Sequence, residues 1–406
     1  MDYKKIYMIG IGGIGLSALA QYFAHEGIEV SGSDRDQSPT TKMLEAKGIR
    51  VIVGQQADNI PQDADLVVYS DAVPADSPER MRATELKIPQ KSYFEALGEV
   101  ALAKRTIAVS GTHGKTTTTA MLGRMLIDAG LDPTVVVGSI VSEWGSNFRA
   151  GGSDLFVVEA CEYRNHFLNF APEILVITNI ELDHTDFFAS LADMQAAFAE
   201  ARTKARQVVE AGDYKAVAVP ELLVPGEFNK ENARAAKAAA KLIAPEIADE
   251  VWDASLATFA GTWRRFEYKG TLPGGTELYD DYAHHPTAIE RTIVAAREKF
   301  AGKKIVVMFH PHLYSRTRDL FEGFTKALAT ADQAYILPVY AAREAHDPTV
   351  SSDKLAEAVV AAGGHAQAVS GMEEATSILK TLGPDTIAFT MGAGDVYKAG
   401  EAALKK

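Results

Sequence analysis

Cysteine is almost absent from this 406-residue chain, where Cys161 stands alone. One thiol excludes an internal disulfide framework and any metal site built from several cysteines. It fits a reducing compartment, and the chain is expected in the cytoplasm. Positive charge is also scarce: 41 lysines and arginines face 54 acids, a formal net charge of −13. A broad nucleic-acid footprint needs a basic face, so nucleic acid is not an expected partner. No apolar run reaches the ~18 residues of a membrane-spanning helix, so no membrane partner is expected either. Lys4-Lys5 ahead of an apolar stretch that runs to Ala20 imitates a secretion signal. Four glycines interrupt that stretch, and a strand, a turn and a helix account for both the glycines and the apolar residues. The sequence also lacks H-E-x-x-H and G-x-S-x-G, which removes the metalloprotease and nucleophile-elbow readings.

What remains is ample apolar material, 47% of residues. At ~100–200 residues per domain it suits two to four domains. Strand-like runs alternate with helical patterns throughout, as in an α/β protein with parallel sheets and helices on both faces. Residues 6–9 form an apolar run, Leu16, Leu19, Ala20 and Phe23 follow at helical spacing, and 28–31 reads as the next strand. The alanine-rich stretch 233–244 is expected to be helical. Later strand runs lie at 304–309, 333–338 and 386–390. Boundaries near Lys104 and Ala260 divide the chain into 1–104, 105–260 and 261–406.

An acidic protein can still hold phosphate, because backbone N–H groups in a glycine loop supply much of the attraction. Two such loops are present. Gly10-Ile11-Gly12-Gly13-Ile14-Gly15 satisfies G-x-G-x-x-G between a strand and a helix, and Asp34 ends the next strand about where a ribose-binding acid belongs. The motif points to a nucleotide diphosphate. NAD is its default ligand, and a tight turn without a ligand is the bland alternative. The second loop, Gly111-Thr112-His113-Gly114-Lys115-Thr116-Thr117, follows the strand run 106–110. It departs from the full phosphate-loop form because Val109 stands at the first glycine. In the remaining core, Lys115 is placed to reach terminal phosphates and the Thr116 hydroxyl to meet magnesium. Two later strand runs end in acids: 155–158 before Glu159, and 174–177 before Thr178-Asn179-Ile180-Glu181-Leu182-Asp183-His184. Ligands collect at strand ends in such sheets, although a single loop acid is more often merely solvated. His310-x-His312, and His284-His285 beside Asp280-Asp281, also admit a zinc reading.

Taken together and in order, G-T-H-G-K-T-T-T at 111–118, E-A-C-E at 159–162 and T-N-I-E-L-D-H-T-D at 178–186 resemble the Mur ligases. F-N-K-E-N-A at 228–233, R-R-F-E at 264–267 and D-Y-A-H at 281–284 continue the resemblance. H-P-H-L-Y-S-R-T-R at 310–318 and T-M-G-A-G-D at 390–395 are similar to the L-alanine-adding branch. The match covers nearly the whole chain.

The resemblance implies a three-domain architecture. A Rossmann-like N-terminal domain would bind the UDP-sugar, a P-loop ATPase-like central domain ATP, and a Rossmann-like C-terminal domain the amino acid. It implies peptide-bond formation in peptidoglycan precursor synthesis, with UDP-N-acetylmuramate and L-alanine as substrates, ATP and Mg²⁺ as cofactors, and a monomer or homodimer. In this family the first loop takes the UDP diphosphate, so Gly12, Gly13, Ile14 and Gly15, with Asp34 and Ser70, become substrate residues. Gly111, Thr112, His113, Gly114, Lys115, Thr116, Thr117, Asn229, Arg265 and Asp281 are assigned to ATP. Thr116, Glu159 and His184 are assigned to the metal. His284, His312, Tyr314 and Arg316 are assigned to substrate, and Lys115, Glu159, His184 and Arg316 to catalysis. Zinc is not needed to explain the histidines. Departures from the pattern are Phe228 for a histidine, Cys161 for an acid and Leu313 for an arginine. The stretch 185–228 is also short, so a pared-down central domain is expected. Other readings are a ligase for a tripeptide or another amino acid, disfavoured by Gly13 where the recycling form carries cysteine, and a nucleotide-binding subunit without ligase activity.

Overall fold

The computed structural model describes residues 3–342 and 344–405. Its central strands are the near-continuous apolar runs of the sequence, buried on both faces as parallel strands require. Ile6, Ile9, Ile107, Val109, Val157, Val176, Val307 and Phe389 are all fully buried. Three sheets result.

The first sheet is wholly parallel, in the spatial order Arg50–Val53, Glu29–Asp34, Lys5–Ile9, Leu66–Tyr69, Gln90–Ser92. Chain order reverses on either side of Lys5–Ile9, so a crevice opens where that strand ends and the first glycine loop begins. The second sheet runs Gln207–Val209, Ile174–Ile177, Arg105–Ser110, Leu155–Glu159, Thr134–Val141, Ser146–Arg149. It is parallel except for its last pair, an antiparallel hairpin. Arg105–Ser110 lies between the strands that end at Glu159 and Ile177, so its loop is flanked by both acid-bearing ends. Gln207–Val209 is the one strand described between residues 185 and 228. The third sheet runs Glu267–Thr271, Glu277–Asp281, Thr386–Met391, Lys304–Phe309, Gln333–Ile336, Ala366–Ala368, parallel apart from its first pair. Apolar clusters cover both its faces, one around Phe309, Phe324 and Phe389 and one around Leu278, Met308 and Leu379.

Packing divides the chain into two compact units. The first comprises Met1–Asn179, Ala196–Pro220 and Asn232–Leu256 and holds the first two sheets. Within it, the helix Ile14–His25 packs on the hairpin Thr134–Val141/Ser146–Arg149, with the Tyr22 ring edge-on to Phe148. The second unit comprises Ile180–Gln195, Glu221–Glu231 and Ala257–Lys406 and holds the third sheet. The alanine-rich stretch is helical, as part of Glu227–Ile243.

Candidate active site

In the first unit, backbone conformation or a close neighbour explains the glycines at 10, 12 and 15. Gly10 sits at φ +83, a conformation that favours glycine. A Cβ on Gly12 would lie 2.8 Å from the Asp34 carboxylate, and one on Gly15 would lie 2.7 Å from the Tyr93 ring. The Gly12 N–H donates to Asp34 Oδ2 at 2.9 Å, Gly13 caps the helix Ile14–His25, and Ser70 N–H donates to Ile9 at the adjoining strand end. Gly12, Gly13, Ile14, Gly15, Asp34 and Ser70 therefore gather at one edge of the first sheet.

The second loop is pinned more tightly. Gly111 and Gly114 have φ of +130 and +82, and a Cβ would meet Thr178 Oγ1 at 2.2 Å and Asn232 Oδ1 at 2.1 Å respectively. The Thr112 N–H donates to the Asn179 carbonyl (3.0 Å) and the His113 N–H to the Asn179 side chain (2.9 Å). Thr178 Oγ1 and Asn179 Nδ2 return bonds to the His113 carbonyl at 2.6 and 3.0 Å. Lys115 Nζ donates to the Gly111 carbonyl (2.5 Å), the Thr112 carbonyl (3.1 Å) and Glu162 (2.9 Å). Burial works against this charge, but Glu162 beside it holds the ammonium above its usual range. Thr116 Oγ1 donates to Glu159 Oε1 at 3.1 Å, and the Gly138 N–H to Glu159 Oε2 at 2.7 Å. Two of the three expected metal ligands, Thr116 and Glu159, are thus in contact.

The second unit carries the rest. His184 sits in Ile180–Gln195 with φ +54, its N–H on the Asp183 carboxylate at 2.6 Å. Non-glycine residues held in this region are strained and cluster at functional sites. Asp183 is the hub of a buried cluster: Arg316 Nε donates to it at 2.9 Å and His284 Nε2 lies 4.0 Å away. Burial works against the Asp183 charge, but Arg316 holds its carboxyl well below the usual range. Burial, then Arg316, push His284 well below its usual value, so its imidazole is neutral near pH 7. His312 lies 3.4 Å from Arg316 and stacks on Tyr340, whereas Tyr314 turns to His346. Arg318 pairs with Asp319 and Asp347 on an exposed face, apart from this buried cluster.

Asn229 is 5% exposed and donates to the Pro225 carbonyl. Phe228 is partly buried against the third-sheet core. Arg265 lies over the Tyr282 ring, beside Asp281. Asp281 accepts N–H bonds from Phe266 (2.9 Å) and Ala283 (2.8 Å), and burial raises its carboxyl to about 6. The neighbouring arginine, Arg264, does different work. It bonds Asp280 at 2.6 Å and the carbonyls of Gly392 and Gly394, so it staples the T-M-G-A-G-D loop to the sheet. Sequence reasoning missed Glu162, Asn179 and Asp183 as partners; each lies inside a quoted motif, which was the available signal.

Three segments match known family domains: residues 5–105 the Mur ligase family catalytic domain, 109–206 the Mur ligase middle domain, and 264–394 the Mur ligase glutamate ligase domain. UDP-N-acetylmuramate–L-alanine ligase of Clostridium kluyveri is 37% identical over 99% of this chain and 98% of its own length. The same-named protein of Salinibacter ruber is 37% identical over 98% of this chain and 94% of its own. The crystal structure of UDP-N-acetylmuramate-alanine ligase from Thermotoga maritima superposes with a TM-score of 0.83 at 28% identity, covering 98% of this chain and 97% of that one. A murein peptide ligase from Psychrobacter arcticus shares the fold, with a TM-score of 0.70 at 22% identity over 99% of each chain. With glycine loops, strand-end acids and the third-sheet motifs matched from end to end, the chain belongs to the Mur ligase family.

Proposed function

We propose that this protein joins L-alanine to the carboxylate of UDP-N-acetylmuramate in an ATP-dependent reaction of peptidoglycan precursor synthesis. The observation that carries the reading is the phosphate loop with Lys115 in place and Thr116 bonded to Glu159, in a chain whose end-to-end relatives are named as L-alanine ligases.

A carboxylate is a poor electrophile. Its oxygen takes the γ-phosphoryl group of ATP, ADP leaves, and an acyl phosphate results. The amine nitrogen then attacks the acyl carbon, and inorganic phosphate departs. Holding the reactants in line and stabilising growing negative charge supply most of such catalysis. Lys115 is assigned to the transferring phosphoryl group, exchanging an acceptor such as Glu162 for phosphate oxygen. The N–H groups at the start of the helix Lys115–Asp128 take the other phosphate oxygens. Gly12, Gly13, Ile14, Gly15, Asp34 and Ser70 hold the sugar nucleotide. Asn229, Arg265 and Asp281 belong to the ATP site. His284, His312, Tyr314 and Arg316 face the amino acid and the sugar acid.

Thr116 and Glu159 offer hard oxygen donors side by side, which fits Mg²⁺, with His184 as the third assigned ligand. When bound, the ion neutralises phosphate charge. The domains are taken as 1–104, 105–260 and 261–406. The Clostridium kluyveri relative aligns over 453 positions, more than the 406 residues here, so part of its length has no counterpart in this chain. The presence of the single described strand Gln207–Val209 between residues 185 and 228 supports a reduced central domain. No described helix is long and apolar enough to cross a membrane. A cytoplasmic monomer or homodimer is the proposed state.

The test is phosphate release from ATP with UDP-N-acetylmuramate and each amino acid in turn, with product mass. Release that needs the sugar nucleotide and is strongest with L-alanine is expected. Product only with a tripeptide would reassign the substrate, and no release under any combination would remove the ligase reading.

A further inference from the structure

We propose that Glu79 is a positioning residue for the first glycine loop and sets the affinity for the sugar nucleotide without touching it. This rests on the assignment of that loop to the UDP diphosphate. Glu79 is the second residue of the helix Pro78–Glu85 and is 0% exposed. A buried carboxyl is costly unless its oxygens are satisfied. Three neutral donors satisfy this one: Tyr7 Oη at 3.0 Å, Asn59 Nδ2 at 2.8 Å and Ser33 Oγ at 2.6 Å. Burial pushes the Tyr7 phenol far up, so its proton stays in place to be donated.

The partners explain what this arrangement orders. The Ser33 carbonyl accepts the N–H groups of Gly10 (2.8 Å) and Ile11 (3.0 Å), and the next residue, Asp34, accepts Gly12 N–H. Asn59 also donates to the Gly54 carbonyl at 2.9 Å, while Gly54 N–H donates to the Asp34 carbonyl at 2.8 Å. Glu79 therefore grips the strand end 33–34 from two sides, and that strand end fixes the direction of the loop. Tyr7 stands further back: it ties Glu79 to the central strand, and its phenol also meets the Ser33 hydroxyl.

The experiment measures KM for UDP-N-acetylmuramate, KM for ATP, kcat and the thermal midpoint of the full-length protein in four variants. Glu79→Gln is expected to raise the sugar-nucleotide KM roughly tenfold, the size of one lost buried hydrogen bond, and to move the ATP KM less than about twofold. Ser33→Ala should follow it, and it keeps the test open should Glu79→Gln fail to fold. Tyr7→Phe, which keeps the Asn59 and Ser33 bonds to Glu79, should lower the midpoint and raise the sugar-nucleotide KM less than Glu79→Gln does, with the ATP KM unmoved. Gly12→Ala probes the loop itself. If Gly12→Ala raises the sugar-nucleotide KM while Glu79→Gln and Ser33→Ala only lower the midpoint, Glu79 is merely structural and the proposal fails. If Gly12→Ala also leaves that KM unchanged, the assignment of the loop is what fails.

Discussion

The two glycine loops open in the same way, with a buried parallel strand, a tight turn and a helix start, yet they are built for different work. The first, at 10–15, has no lysine; its N–H groups are braced by Ser33 and Asp34. The second, at 111–117, adds an ammonium surrounded by acceptors and a hydroxyl bonded to a strand-end carboxylate. Backbone N–H groups alone can hold a phosphate that is only carried. Moving a phosphoryl group calls in addition for mobile positive charge where charge develops. On the proposed assignment, a shared fold element becomes a handle in one sheet and a reaction centre in the other. The hairpin Thr134–Val141/Ser146–Arg149 links them within the first unit. Asn147 bonds the Ile14 carbonyl and Ser17 Oγ at the first helix, while Gly138 of the same hairpin holds Glu159.

The contrast is broken most sharply at Lys115. Lys115→Ala leaves the buried Glu162 carboxylate without its cation, so its thermal midpoint should fall, and the folded protein should lose roughly 10²–10³-fold in kcat, as expected for removing a group that stabilises transition-state charge, with the sugar-nucleotide KM little changed. Appreciable turnover by this variant would return the second loop to a mere binding role. At the first loop the predicted effect is of the other kind. Gly15→Ala drives a Cβ into Tyr93 at 2.7 Å, and an overpacking cost of ~1–3 kcal/mol should appear as a tenfold or so rise in KM for the sugar nucleotide with kcat retained. Tyr93→Leu in the same chain should recover part of that loss; no recovery would mean that the glycine serves the ligand and not the ring. Asn147 tests the link between the loops. Asn147→Ala leaves buried partners unpaired, a loss of about 1–3 kcal/mol of stability, and kcat should fall several-fold more than either KM rises. A variant that changes only the thermal midpoint would show the hairpin to be scaffolding.

How much of this could be read without coordinates depends on distance along the chain. The strands, both glycine turns and the pairing of Lys115 with Thr116 are local patterns, and local sterics fix them. Glu159 was legible because a buried strand must end somewhere and the acid stands at its end. The contacts that complete the site are long-range. Arg316 meets Asp183 across 133 positions, and no periodicity announces that pair. Arg264 and Arg265 are the same residue type side by side, yet one is a buried staple and the other lies over a tyrosine near Asp281. Only the turn around them, where Arg264 takes φ +59, separates their roles. Glu79 carried no signal at all, since a Pro-Glu pair at a helix start reads as an ordinary solvated first turn.

The smallest expected effect lies at Asp281, outside both loops, and its sign follows from its environment. Burial, more than its neighbours, lifts this carboxyl to about 6, against Arg265 and two N–H donors that favour the charge. A folded-state pKa above the unfolded one means that the folded protein binds the proton more tightly. The resulting stability is fully present below about pH 4 and is lost as pH rises through about 6. Nucleotide binding runs the opposite way if the carboxylate is the form that contacts ATP. At pH 6 about half the sites would be protonated, and KM for ATP should be about twofold above its value at pH 8. Asp281→Asn should raise the ATP KM at pH 8 and flatten its pH dependence between 6 and 8, with the sugar-nucleotide KM unmoved. An unchanged slope in that variant would mean that Asp281 shapes the strand end through Phe266 and Ala283 and leaves the nucleotide to others.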